Sequence, residues 1–117
     1  MTDDRPLFIQ LKGDEWDLSS REKLRFLLIA GADRRYVYID MSAVAYMDAA
    51  CLGALASMQR DRLRNAGFGP ATLIAAHPSL RTVLELVGFD RAWPIFATLE
   101  EALSDNSPDD LTSRAAI

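Results

Sequence analysis

The chain has 117 residues, 50% hydrophobic and 26% charged, with 13 Lys and Arg against 17 Asp and Glu for a formal net charge of −4. That balance belongs to an ordinary soluble globular domain with one core, and the length leaves little room for a second. An acidic chain is a poor nonspecific nucleic-acid binder, because such binding needs clustered positive charge.

In chain order, Leu7-Phe8-Ile9-Gln10-Leu11 opens the pattern. Leu7, Ile9 and Leu11 alternate, which predicts a strand with one buried face. Gly13, Asp14 and Glu15 break it. Ser19-Ser20-Arg21-Glu22 has the spacing of a capping box, a Ser followed three residues later by Glu. The helix it opens should run to about Ala30, with Leu24, Leu27 and Leu28 on one face and Gly31 as its stop. Tyr36-Val37-Tyr38-Ile39 is short, aromatic and β-branched, a strand covered on both faces.

A loop leads through Tyr46-Met47 to Asp48, a preferred N-cap residue. The helix behind it carries Leu52, Leu55, Ala56 and Leu63 as its apolar stripe. Arg60, Asp61, Arg62 and Arg64 read as its solvated end, and Asn65-Ala66-Gly67 closes it. Ala71 to Ala76 is the next strand. A strand, helix and strand of this length predict a right-handed βαβ unit with parallel strands. Pro78 fits the first position of another helix, with Leu80, Val83, Leu84 and Val87 inward and Gly88 at its end. Trp93-Pro94-Ile95-Phe96 reads as an edge strand, since Pro94 lacks an amide hydrogen. Thr98-Leu99-Glu100-Glu101 is a second capping box, opening a short helix to about Leu103.

The expected organisation is an N-terminal tail at 1–6, one domain at 7–104 and a flexible acidic tail at 105–117. Residues 1–6 carry a net −1 and residues 105–117 a net −2, so the body is nearly neutral. Asp48 interrupts the apolar stretch Val44 to Met58, so no segment reads as a membrane span. The polar start Met1-Thr2-Asp3-Asp4-Arg5-Pro6 is unlike a secretory signal. With one cysteine, Cys51, and one histidine, His77, neither an internal disulfide nor a Cys/His zinc site is expected. These features predict a reducing, cytoplasmic setting, no membrane insertion, and neither cofactor nor metal.

No catalytic set is visible. His77 precedes Pro78 with no nucleophile or orienting partner marked in the sequence. Gly67-Phe68-Gly69-Pro70 is a turn without a following phosphate-binding Lys. Asp40 and Asp48 could approach each other, but loop and cap hydrogen bonding is the expected use of both.

One stretch is more informative: Ile39-Asp40-Met41-Ser42-Ala43-Val44, then Asp48-Ala49-Ala50-Cys51-Leu52-Gly53. It resembles the signature of the STAS domain family of anti-sigma factor antagonists, an Asp-x-Ser-x-Val stretch followed by Asp-Ser-Ser-Gly-Leu-Gly at a helix start. Gly13 to Asp17 resembles the family's Gly-Glu-Leu-Asp turn, with one extra residue. Leu84 to Asp90 resembles its Leu-x-x-x-Gly-Leu-Asp segment, and Phe96 to Leu103 its closing Phe-x-x-x-Glu-Glu-Ala-Leu. Together these cover about Leu7 to Leu103.

The resemblance implies an α/β STAS-type sandwich, a mixed sheet of four to five strands with about four helices. It also implies a non-enzymatic, regulatory protein-binding module. In the family, a kinase-type anti-sigma factor phosphorylates the Ser or Thr two residues after the helix-opening Asp, and the modified antagonist lets go. Here Ala50 stands at that place and has no oxygen to phosphorylate. Asp17, Asp48, Ala49, Ala50, Cys51 and Leu52 are the expected partner-contact residues. The expected partner is a kinase-ATPase anti-sigma factor or a related regulator. The alternatives are a STAS subunit of a transporter, for example in lipid transport, and a module sensing nucleotides or other small molecules. The oligomeric state is open, a homodimer being one option. Cys51, in the first turn of a helix, is either a redox-active thiol or a small buried filler.

Overall fold

The computed structural model describes residues 5–105. The two expected tails therefore lie, apart from Arg5, Pro6 and Asp105, outside the described residues. Among the described residues, six strands and five α-helices follow in the order β1 (Leu7–Gln10), β2 (Glu15–Trp16), α1 (Arg21–Ile29), β3 (Val37–Asp40), β4 (Tyr46–Met47), α2 (Ala49–Asp61), β5 (Thr72–Ile74), α3 (Pro78–Leu86), α4 (Phe89–Ala92), β6 (Ile95–Phe96) and α5 (Leu99–Asp105). A 3₁₀ turn at Leu18–Ser20 leads into α1, and a π turn at Arg62–Ala66 follows α2.

The main sheet has the order β1-β3-β5-β6, and every pairing among the described residues is parallel. The predicted parallel unit is β3-α2-β5, with Ile39 opposite Leu73. The α/β sandwich is as expected, but the sheet is parallel rather than mixed. A separate two-stranded parallel pair, β2-β4, accompanies it. Neither member was anticipated, because two residues are too short to show alternation.

The strands explain how the two faces are covered. Ile9, Val37, Ile39 and Leu73 join Leu24 and Leu28 of α1, Leu52, Leu55 and Met58 of α2, and Leu80 and Leu84 of α3 in the large core. Side chains of opposite parity, Tyr38 and Ile74, form a smaller cluster on the other face with Ala102 of α5. β3 is thus covered on both sides, as its composition predicts. Phe8 stacks on Tyr38 at 5.1 Å while staying 51% exposed. In α3, Val87 is exposed, and Gly88 beyond it has φ 83°, a left-handed turn that suits glycine. Thr98 Oγ1 accepts from Glu101 N at 3.1 Å, so the second capping box does cap α5.

Besides Val87, expected inward but exposed, two local expectations fail. The Ser19 hydroxyl expected to cap α1 donates to Asp17 Oδ1 instead, and Ser20, the residue before α1, makes no side-chain cap bond. Asp17 takes both the hydroxyl and, at 3.0 Å, the amide of Ser19, capping the 3₁₀ turn. The end of α2 is the larger correction. Arg62, expected in solvent, is completely buried, and Leu63, expected in the apolar stripe, is 52% exposed. Residues 52, 55, 59 and 62 step by three and four, so Arg62 continues the inward row.

Burial of Arg62 is sustained by hydrogen bonds. Nη1 donates to Gly31 O at 2.7 Å and to Arg34 O, and Nη2 donates to Arg35 O at 3.1 Å and Gly69 O at 3.0 Å. Phe68 lies 5.5 Å from the guanidinium. Desolvation lowers the Arg62 pKa, but a guanidinium stays charged. The cation binds the end of α1, the α1–β3 loop and the α2–β5 loop to the end of α2. Gly31 permits this close packing: a Cβ there would sit 3.3 Å from Val37 Cγ1. Buried Gln59 repeats the device, accepting from Ala71 N at 3.1 Å and donating to Ala92 O at 3.4 Å.

Candidate functional site: the start of helix α2

The β2-β4 pair brings two distant segments together. Its register sets Trp16 opposite Met47, so the residues that follow, Asp17 and Asp48, emerge side by side. Asp48 N donates to Trp16 O at 3.0 Å. Each aspartate then opens a helical segment. Asp48 is extended, and its Oδ1 accepts from Cys51 N at 3.1 Å, the N-cap geometry predicted for α2. Asp17 Oδ1 accepts from Ser19 N, from Ser19 Oγ and, at 3.5 Å, from Ser20 Oγ. The Ser19 hydroxyl, helped by the Ser19 and Ser20 amides, holds the Asp17 carboxyl below its usual range.

Cys51 ties the two segments. Its Sγ donates to Asp17 O at 3.3 Å, and the side chain is completely buried. Desolvation, reinforced by the Asp48 carboxylate, pushes the thiol up to about 11. A buried thiol held protonated is a poor nucleophile, so the structure favours the filler alternative over the redox one. The helix dipole is outweighed here by burial and a neighbouring negative charge.

The six expected contact residues thus separate into two groups. Ala49 is exposed, and Asp17, Asp48 and Ala50 are partly exposed along one surface. Cys51 and Leu52 are buried and belong to the core beneath it. They support that surface from beneath, because the inward side of α2 begins at residue 51. Asp40 accepts from Ser42 N at 2.9 Å and from Ser42 Oγ, the local loop role expected of it. His77 is exposed and makes no side-chain cap bond to α3.

The surface continues into a feature that residue-by-residue reading missed. Between α1 and α2 lies an open groove of about 620 Å³. Ala50, Gly53, Ala54 and Ser57 form its α2 wall, and Arg25 and Ile29 stand on its α1 side. The signal was present as small residues recurring at spacings of three and four. On the other side of α1's start, Lys23 Nζ sits 5.6 Å from the centre of the buried Trp16 ring.

The chain belongs to the STAS domain family, whose model matches residues 4–102. Among solved structures, an anti-sigma factor antagonist from Mycobacterium paratuberculosis is similar, with 25% identity and a TM-score of 0.72 over 87% of each chain. A sulfate transporter family protein from Wolinella succinogenes has 19% identity and a TM-score of 0.67, over 85% of this chain and 82% of that one. The phosphorylated form of the Bacillus cell fate determinant SpoIIAA has 21% identity and a TM-score of 0.62, over 89% and 93%. The last two speak to the fold alone. No curated protein sequence matches. STAS domains are generally non-catalytic regulatory modules. Among the described residues, no helix is long and apolar enough to cross a membrane.

Proposed function

We propose that this chain is a non-enzymatic, cytoplasmic protein-binding module of the anti-sigma-factor-antagonist type. It docks on a kinase-type anti-sigma factor or a related regulator through the start of α2. The observation that carries the reading is the surface made by Asp17, Asp48, Ala49 and Ala50, where the β2-β4 pair sets two capped helical starts side by side.

Ala50 occupies the family's phosphoacceptor position, two residues after the capping Asp48. A phosphoryl group there would add about −1.5 to −2 charges to a partner face. A methyl group accepts none, so the module is held in its binding form. Partner release must then come from elsewhere: competition, synthesis, degradation, or modification of the partner.

The test is binding to purified kinase-type anti-sigma factors from the same genome. Wild type should form a complex, and Ala50→Asp should weaken it at least about tenfold without altering the fold. Ala50→Ser should become a substrate of the kinase that binds. An Ala50→Asp complex as tight as wild type would remove this helix end from the interface. Binding to a transporter ATPase instead would keep the surface and change the partner.

A further inference from the structure

We propose that the α1–α2 groove is the seat for an amphipathic helix of the partner, one with carboxylates at the end lying beside the start of α2. The inference rests on the reading of this helix end as a docking surface and specifies what is docked. Three observations converge on it.

The first is shape. From Ala49 to Asp61 the groove follows α2 for about 18 Å, the length of roughly three helical turns. Its α2 wall carries nothing larger than Ser along Ala50, Gly53, Ala54 and Ser57. A Cβ placed on Gly53 would meet nothing within 4 Å. No packing inside the fold therefore requires glycine there, although glycine in a helix interior costs stability relative to Ala. The flat wall allows the backbone of a second helix to approach closely.

The second is apolar surface. Ile29, which lines the groove, is 70% exposed, and Phe26, one turn earlier on α1 and outside the groove lining, is 75% exposed. Large side chains left in water on successive turns, beside a groove, mark an interaction surface. The groove floor is also apolar, with Leu28 and Met58 below. An amphipathic helix laid into such a groove is a recurring recognition mode.

The third is charge. The end of the groove beside Ala49 and Ala50 is lined by Arg21 and Arg25, and among the described residues both cations form ion pairs with Glu22, at 3.5 and 3.6 Å. The positive end of the α2 dipole lies at the same place. Asp17 and Asp48 line no part of the groove; their carboxylates serve the adjacent caps. At the far end the lining residue is Asp61. A bound helix should therefore place carboxylates near Arg21 and Arg25, and a cation near Asp61.

The test uses the full chain and a designed helical peptide of about 14 residues, with one Ala/Leu face, Glu at one end and Lys at the other. Amide shifts of the isotope-labelled protein report where it binds. The expected result is saturable binding with shifts centred on Ile29, Gly53 and Ser57. Gly53→Leu, which fills the groove, and Arg25→Glu, which reverses its charge, should each weaken binding about tenfold. Both keep residues suited to a helix, and unchanged melting curves would show that the fold is intact. No binding up to about 1 mM peptide, shifts centred elsewhere, or binding unaffected by both variants would overturn the proposal. The assay contains no anti-sigma factor. A failed anti-sigma assay with a positive peptide result removes only the partner's identity, and the reverse removes only the groove.

Discussion

The two ends of α2 are tied into the fold in opposite ways. At the start, Asp48 satisfies the Cys51 amide with its own side chain, and the neighbouring surface is made of small residues. Just past the end, Arg62 turns inward and donates from its guanidinium to four carbonyls of other segments. The capped end is satisfied locally and can be displayed. The clamped end is held by tertiary contacts and becomes an anchor. A helix fixed at one end offers a firm surface at the other, which suits a docking module.

The largest effect should come from breaking the anchor. Arg62→Met keeps most of the volume but leaves the carbonyls of Gly31, Arg34, Arg35 and Gly69 without that donor. It should cost about 3–5 kcal/mol in urea unfolding. Arg62→Lys should lose a large part of the same energy, because an ammonium lacks the planar fork. A loss below about 1 kcal/mol for Arg62→Met would mean that water or loop movement replaces the clamp.

Cys51 sharpens the contrast from beneath the displayed end. Its pKa is raised from an ordinary 9.0 to about 11, so at about pH 8 it holds roughly a hundredfold less thiolate than a free cysteine. Native protein should react with a thiol reagent only slowly, and unfolding should abolish the protection. The folded state prefers the protonated thiol. The associated stability is complete below the unfolded pKa and is lost as pH rises from 9.0 through about 11. Cys51→Ala should flatten that alkaline slope, which an unfolding series across this range would detect.

Removing the cap at the displayed end should cost less than removing the clamp. Asp48→Ala should destabilise by about 1 kcal/mol, and Asp48→Asn by less, because Asn also caps. The acid limb is the place to look for Asp17. Its folded pKa is depressed below 3.8, so its contribution is present above that value and is lost as pH falls through the folded pKa. Asp17→Asn should make stability less sensitive to pH in that range.

The smallest effect has the opposite sign. Gly53→Ala should stabilise by about 0.5–1 kcal/mol, since the position is helical, exposed and unobstructed. Loss of stability instead would show that the α2 wall of the groove is already in contact within the fold.

Most of the framework was legible because it rests on local rules. Alternation marked β1, β-branched and aromatic residues marked β3, Pro78 opened α3, and Asp48 and Thr98 capped their helices. Of the site, the helix start and its two aspartates were legible from the resemblance, and the pairing that joins them was not. β2 and β4 are two residues each, and their paired residues, such as Glu15 and Tyr46, are far apart in the chain. No pattern inside either stretch announces the other. The burial of Cys51 and Leu52, and hence their removal from the exposed surface, also required knowing which side of α2 meets the sheet.

Arg62 marks the boundary between the two kinds of information. An apolar stripe ending at Leu63 and the charge of Arg62 both placed it in water, and the competing row of 52, 55, 59 and 62 shows only once burial is known. The decision belongs to the four carbonyls that gather around it, and those come from residues 31 to 35 and 69. The sequence by itself determined the order of the longer elements, the capped start of α2 and the alanine at position 50, because each depends on residues a few positions apart. The tertiary structure alone decided which charge is buried, which pair of aspartates is adjacent and where a groove opens. Those depend on groups distant in the chain, whose energies exist only once the chain has brought them together.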